Sequence, residues 1–287
     1  MSEKNAKLMS SVGSSRFTAL SALNMLFLGI ITFTIFIFPF YWVISGSFKT
    51  MKAINASPPQ WWPAEPTLRN YEKLFKNPAL DWFLNSVIIA VATMLIVVLA
   101  ASLAGYVLAK KKFIGRRVVF TVFIAAMALP KQVILVPLVR LISGWGFHDT
   151  LMAVILSGVG WPFGVFLMKQ FSEGIPGELL EAAKIDGSGE VRTFVTMVLP
   201  LVSAGMAALA IFTFVTAWND YFMQLVMLSS RSNLTLQLGV ATLQKENATD
   251  YGLLMAGAAI AAIPIITVFI AFQKYFTQGI TMGAVKG

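Results

Sequence analysis

Six long apolar runs dominate the chain: 20–44, 82–109, 118–141, 151–168, 194–219 and 251–273. A helix needs about 20 apolar residues to cross the hydrocarbon core of a bilayer. The runs are continuous rather than alternating, and too long for barrel strands. Backbone polar groups in lipid must pair within their own segment, so each run predicts a helix. The second, fifth and sixth carry no charge, the third is interrupted by Lys131, and the fourth is near the minimum length. The first follows Lys4, Lys7 and Arg16 but is too long for a signal-peptide core of about 7–15 residues, so it reads as an uncleaved first span.

Charge sets the expected orientation. Lys110, Lys111, Lys112, Arg116 and Arg117 crowd the short link between the second and third runs. Short basic loops stay on the cytoplasmic side. Lys169, Lys184 and Arg192, then Lys274 and Lys286, fall on the same side when spans alternate. The expectation is an all-α polytopic membrane protein, one transmembrane domain over 1–287, with six spans and both termini cytoplasmic. Residues 1–19 and 274–287 are then inner tails, 45–81 and 229–250 are outer loops, and 172–193 is an inner loop that holds a short helix.

Composition agrees: 57% of the 287 residues are hydrophobic and 12% charged, against about 25% charged in soluble domains. The net charge of +9 sits in clusters between spans, with no basic face interleaved with aromatics, so it predicts no nucleic-acid partner. There is no cysteine and one histidine, His148. That excludes disulfides, thiolate zinc sites and a cysteine nucleophile, and no metal site is expected.

The loop 172–193 carries the most specific pattern. Pro176 suits a helix start, Glu178 and Glu181 favour an N-terminal half, and Gly187 suits a stop. An amphipathic helix on lipid headgroups is one reading. Its acidic residues suit an anionic surface poorly, and Ala182 and Ala183 permit close approach of another backbone, so a protein socket fits better. Glu181-Ala182-Ala183, then Gly187, then Met197-Val198-Leu199-Pro200 resembles the EAA motif of ABC importer permeases, with Met197 in place of the usual isoleucine.

The resemblance extends over nearly the whole chain. Phe48-Lys49-Thr50, Thr67-Leu68-Arg69-Asn70-Tyr71, Phe83-Leu84-Asn85-Ser86, Lys112-Phe113-Ile114-Gly115-Arg116-Arg117, Ala217-Trp218-Asn219-Asp220 and the tail from Phe272 are similar to carbohydrate-uptake permeases of the maltose-transporter type, specifically the shorter of their two permease subunits. The resemblance implies a multi-pass subunit of the bacterial cytoplasmic membrane. Its implied partners are a second homologous permease, a cytoplasmic ATPase dimer and an extracytoplasmic sugar-binding protein. Coupling to the ATPase would fall on Glu181, Ala182, Ala183, Asp186, Gly187, Leu199 and Pro200. The chain has no phosphate-binding G-x-x-x-x-G-K-[ST] loop. No cofactor or catalytic residue is expected in it, and ATP and magnesium would belong to the ATPase.

Three polar groups are candidates beyond the loop. Lys131 lies about 20 Å of helical rise from Val118, between Pro130 and Pro137; it either snorkels to the outer interface or lines the pathway. Trp218, Asn219 and Asp220 end the fifth run, as an interfacial stop or as a polar and aromatic surface for a sugar. Gln237, Gln244, Lys245 and Asn247 in 229–250 are either a solvated connector or a contact with the binding protein. A permease for a polyol or glycerol phosphate, a self-sufficient secondary transporter and a membrane scaffold remain as alternatives.

Overall fold

The computed structural model describes residues 16–246 and 250–284. The described residues are helical, with no strand among them. They fall into two compact units, one holding the chain up to Leu74 together with Asp250–Ala259, the other holding Phe75 onward and Ile260 onward.

The first unit contains α1 (Arg16–Thr32), a π-helical turn (Phe33–Ile37), α2 (Phe38–Ser47), α3 (Met51–Ile54) and α4 (Arg69–Phe75), with the start of α16 (Tyr251–Ala284). Its joints use stretches on which the family resemblance rested. Asn70 donates from Nδ2 to the carbonyls of Ser47 and Lys49, both at 2.8 Å. The Thr67 amide donates to Phe48 O at 2.9 Å, and Thr50 caps α3 by accepting from the Ala53 amide. Lys49 is buried; its ammonium donates to Gln60 O at 2.5 Å and lies 4.4 Å from the Trp42 ring centroid. Lys73 pairs with Asp250 at 2.5 Å. The segment 45–81, expected as a loop, is thus a folded clasp containing two short helices.

The second unit is built on α5 (Ala79–Lys110), a continuous helix of 32 residues. Against it pack α8 (Leu151–Val159), α9 (Pro162–Glu173) and α13 (Ser203–Trp218), while α6 (Arg116–Met127), followed in the chain by α7 (Leu135–Gly144), packs on α9. Without a hydrophobic drive between helices in lipid, close backbone approach at small residues supplies the packing. Gly105 of α5 is such an approach to another backbone: a Cβ there would lie 2.6 Å from the Lys169 amide nitrogen of α9. Gly164 meets Ala101, Val97 and Leu209 in the same way. Val97, Ala101, Met168, Val198 and Leu209 are buried in the resulting core.

Among the described residues, three helices are long and apolar enough to cross a membrane: Ser21–Ser47, Ala79–Lys110 and Tyr251–Phe272. Two bent pairs raise the number to five, α8 with α9 at 46° and Glu190–Leu201 with α13 at 78°. The third predicted span is not one helix. It is α6 and α7, separated by turns over 128–134 around Pro130, where proline removes an amide donor and resists the helical turn.

The segment 229–250 also differs from expectation. It is not a polar connector, because residues Leu236–Glu246 form α15. Leu236, Leu238 and Leu243 are buried, and Gly239 lets the Trp82 ring lie against its backbone. Gln237 is half-buried and accepts from Ser86 Oγ at 3.3 Å. Gln244 is exposed. The Lys245 side chain and Asn247 lie outside the described residues.

Candidate functional site

Three helix breaks converge in the second unit. The first is 128–134 between α6 and α7. The second is Gly160-Trp161 between α8 and α9. The third is Asn219-Asp220 between α13 and α14 (Tyr221–Met227). A pocket of about 420 Å³ lies among them, lined by Lys131, Ser157, Gly158, Trp161, Phe163 and Met223 with their neighbours. Its depth follows from α5. A Cβ on Gly158 would touch Thr93 Cγ2 at 2.9 Å, and Thr93 stands roughly 21 Å from one end of α5 and 26 Å from the other at 1.5 Å per residue. The pocket is therefore level with the middle of the long span.

Lys131 and Asp220 meet here, Nζ to Oδ2 at 3.5 Å. The Asp220 side chain is 19% exposed and that of Lys131 47%. Asp220 also caps α14, with Oδ1 accepting from the Met223 amide at 3.2 Å. A single charge at mid-bilayer costs about 2.5–3.5 kcal/mol on insertion scales. An opposite charge lowers that cost, and Lys131 of the pair lines the pocket. Discontinuous helices at this depth are where membrane transporters place substrate sites.

Trp218 does not join the pocket surface. It is buried, stacked on Phe214 and edge-on to Phe83, with its indole N–H donating to Ala261 O at 3.1 Å. It cannot offer a ring face to a sugar. Asn219 is exposed, but its Nδ2 donates to Val215 O at 2.9 Å and closes the end of α13. The aromatic wall is instead Trp161 and Phe163, whose ring centroids lie 5.1 Å apart. Sequence reasoning passed over both; the available signal was Gly160-Trp161-Pro162, a breaker sequence inside an apolar run.

The second candidate site is the loop after α9. It holds α10 (Gly177–Ile185), and the chain continues through α11 (Glu190–Thr193), a π-helical turn (Phe194–Val198) and α12 (Leu199–Leu201). Gly187 has φ +74°. Its amide donates to Lys184 O, and the Ser188 amide donates to Ala183 O at 2.9 Å. This pair of bonds with a left-handed glycine is a Schellman stop. Of α10 only Ala183 is buried. Glu178, Glu181, Ala182 and Asp186 are exposed, and Ile185 is 86% exposed. Ala182 therefore faces outward and Ala183 faces its own chain, so they do not share a docking face. Leu199 is half-buried and Pro200 exposed, just ahead of the 78° bend.

A third polar cluster joins two links of the second unit. Asp149, with φ +58°, accepts from the amides of Ser229 at 2.7 Å and Ser230 at 3.0 Å and bonds the Ser230 hydroxyl. Its own carbonyl accepts from Asn233 Nδ2 at 2.6 Å. Partial burial alone would raise its pKa, but these hydrogen bonds outweigh it and hold the carboxyl at about 2. A depressed folded pKa stabilises above the unfolded value, about 3.9, and that contribution is lost as pH falls through about 2. Asp149→Asn is expected to lower the melting temperature at pH 6. The gap from wild type should close between about pH 4 and 2, followed by tryptophan fluorescence of the purified protein. A pH-independent gap would remove the carboxylate from the account.

Comparison with known proteins bears on both sites. The family described as binding-protein-dependent transport system inner membrane component matches residues 101–282, which include the pocket breaks and α10. The arabinooligosaccharides transport system permease protein AraQ of Halalkalibacterium halodurans is 37% identical over 227 residues, covering 78% of this chain and 81% of the relative. The diacetylchitobiose uptake system permease protein NgcG of Streptomyces coelicolor is 31% identical, covering 94% and 90%. Among solved structures, a bacterial ABC transporter involved in the import of the acidic polysaccharide alginate contains a similar chain. Its TM-score is 0.78 at 20% identity, with 92% of this chain and 98% of that one covered; at that identity the likeness speaks for the fold.

Proposed function

Because the chain belongs to the family of binding-protein-dependent transport system inner membrane components, we propose that it is the permease subunit of an ABC importer that carries an oligosaccharide or related sugar across the bacterial cytoplasmic membrane. The broken third span counts as one crossing in this reading, which gives six spans with both termini and α10 cytoplasmic. A second homologous permease completes the pathway, and an extracytoplasmic binding protein delivers the sugar. A separate ATPase dimer binds and hydrolyses MgATP, so this subunit is non-catalytic.

The observation that carries the reading is α10: a short helix, stopped by Gly187, with only Ala183 of its residues buried among the described residues. Such a helix is built to seat in another protein, and Glu181, Asp186 and Ile185 are what it presents. Sugar as substrate is supported by the relatives' transport of arabinooligosaccharides and diacetylchitobiose. It is also supported by a mid-span pocket that sets the aromatic wall of Trp161 and Phe163 beside Lys131.

The test is uptake of labelled oligosaccharides into liposomes holding the complete complex with its binding protein. ATP-dependent uptake of a sugar is expected. Uptake driven by an ion gradient without the ATPase would overturn the reading. Single cysteines at Ser2 and Gly287 should resist impermeant thiol reagents in intact cells, and labelling of either from outside would overturn the topology.

A further inference from the structure

Two consecutive lysines at the end of α5 hold the two ends of the loop that contains α10. Lys110, the last residue of α5, donates from Nζ to Glu173 O at 3.0 Å and to Ile175 O at 2.6 Å. These carbonyls close α9 and open the path into α10, and a cation there also complements the negative end of the α9 dipole. Lys111 forms an ion pair with Glu190, at the first turn of α11. Its ammonium lies 5.3 Å from the Tyr106 ring centroid.

Between these anchors α10 has little hold of its own. Ala183 is its one buried residue, and Leu180 packs partly against the core. Its orientation therefore depends on its two ends. Beyond the second anchor the chain passes through the π-helical turn Phe194–Val198 and the 78° bend before α13. That π segment departs from the regular α-helical ladder just before the bend, so the direction of α13 is not fixed by a continuous helix. On the other side, α5 and α9 are locked together, backbone to backbone at Gly105 and backbone to side chain at Gly164. That locked pair runs to Gly160-Trp161 and Thr93, where the pocket lies.

We infer that Lys110 and Lys111 are positioning residues that tie the coupling helix to the α5–α9 pair, so that its displacement reaches the pocket through that pair, while the bend before α13 absorbs the difference. This rests on α10 docking the ATPase. It assigns to two basic residues, otherwise explained by membrane topology alone, a part in transmission. It makes α5 and α9 the main route of that transmission.

The experiment uses the reconstituted complex and measures sugar transported per ATP hydrolysed, together with co-purification of the ATPase. Lys110→Met and Lys111→Glu are expected to lower that ratio by about fivefold or more with the ATPase still bound. Lys111→Arg should stay within about twofold of wild type, and Lys111→Glu combined with Glu190→Lys should recover most of the loss. An unchanged ratio in Lys110→Met and Lys111→Glu overturns the inference. So does loss of the ATPase from every variant including the exchanged pair, which would mark a plain structural role. Failure of the wild-type chain to retain any ATPase would instead reject the docking role of α10, a distinct result.

Discussion

Gly187→Val is expected to cut uptake about tenfold or more while the protein still inserts in the membrane. The residue stands at φ +74°, and a Cβ built there meets nothing within 4 Å. The penalty is therefore backbone strain rather than collision. A left-handed conformation costs an ordinary L-residue about 1–2 kcal/mol, and a β-branched one resists it more. The chain relieves that strain by unwinding the Schellman stop, which changes the direction in which α10 leaves the protein. Gly187→Asn keeps access to the left-handed region and should lose little. Glu181→Lys tests the same surface by charge. Glu181 is exposed and makes no salt bridge among the described residues, so reversal should leave stability within about 0.5 kcal/mol. Placed against a socket that expects an anion, it should weaken docking by about tenfold, which is about 1.4 kcal/mol. The readouts are transport, ATPase rate and ATPase co-purification. Wild-type values for both Gly187→Val and Glu181→Lys would remove α10 from coupling.

The difference between what the sequence disclosed and what it hid follows from the range of the forces. The stop at Gly187 is local: Pro176, the acidic first half and the glycine each act within one or two turns, and all are readable in order. The apolar runs were equally plain, because hydropathy averages over a window of a span's length. That averaging is also why the kink at Gly160-Trp161-Pro162 went unseen inside the run 151–168, while Pro130-Lys131 stood out through its charge. Helix α15 was hidden for the opposite reason. Gln237, Thr242, Gln244 and Lys245 give it the look of a connector, yet Leu236, Leu238 and Leu243 bury against protein rather than lipid, and Gly239 accepts the Trp82 ring. Trp218 looked available because its neighbours Asn219 and Asp220 are polar; which side of α13 it occupies depends on α16, a contact distant in sequence. The meeting of Lys131 with Asp220 is of the same kind. Each residue was visible as an anomaly, but only the fold joins them.

That meeting yields the other large expected effect. Lys131→Met leaves the Asp220 carboxylate without its counter-ion, and Asp220→Asn leaves the ammonium without its own. The asparagine still offers an oxygen to the Met223 amide, so the cap of α14 survives and the charge is tested alone. Breaking a fully buried pair costs about 3–5 kcal/mol. Here the Lys131 side chain is 47% exposed and lines the pocket, so water or substrate shares the charge, and a smaller loss of about 1–2 kcal/mol is expected for each single change. In rate that is roughly tenfold in uptake per assembled complex. The double variant Lys131→Met with Asp220→Asn removes both charges and should be less impaired than the product of the two single effects, a positive coupling in the double-mutant cycle. Two other outcomes identify other roles. A lysine that only snorkels gives wild-type uptake when replaced by methionine. A pair that serves only assembly lowers the yield of complex and leaves uptake per complex unchanged. A loss of uptake at normal yield, partly restored in the double variant, places the pair in the translocation pathway, because the energy then depends on what moves past it.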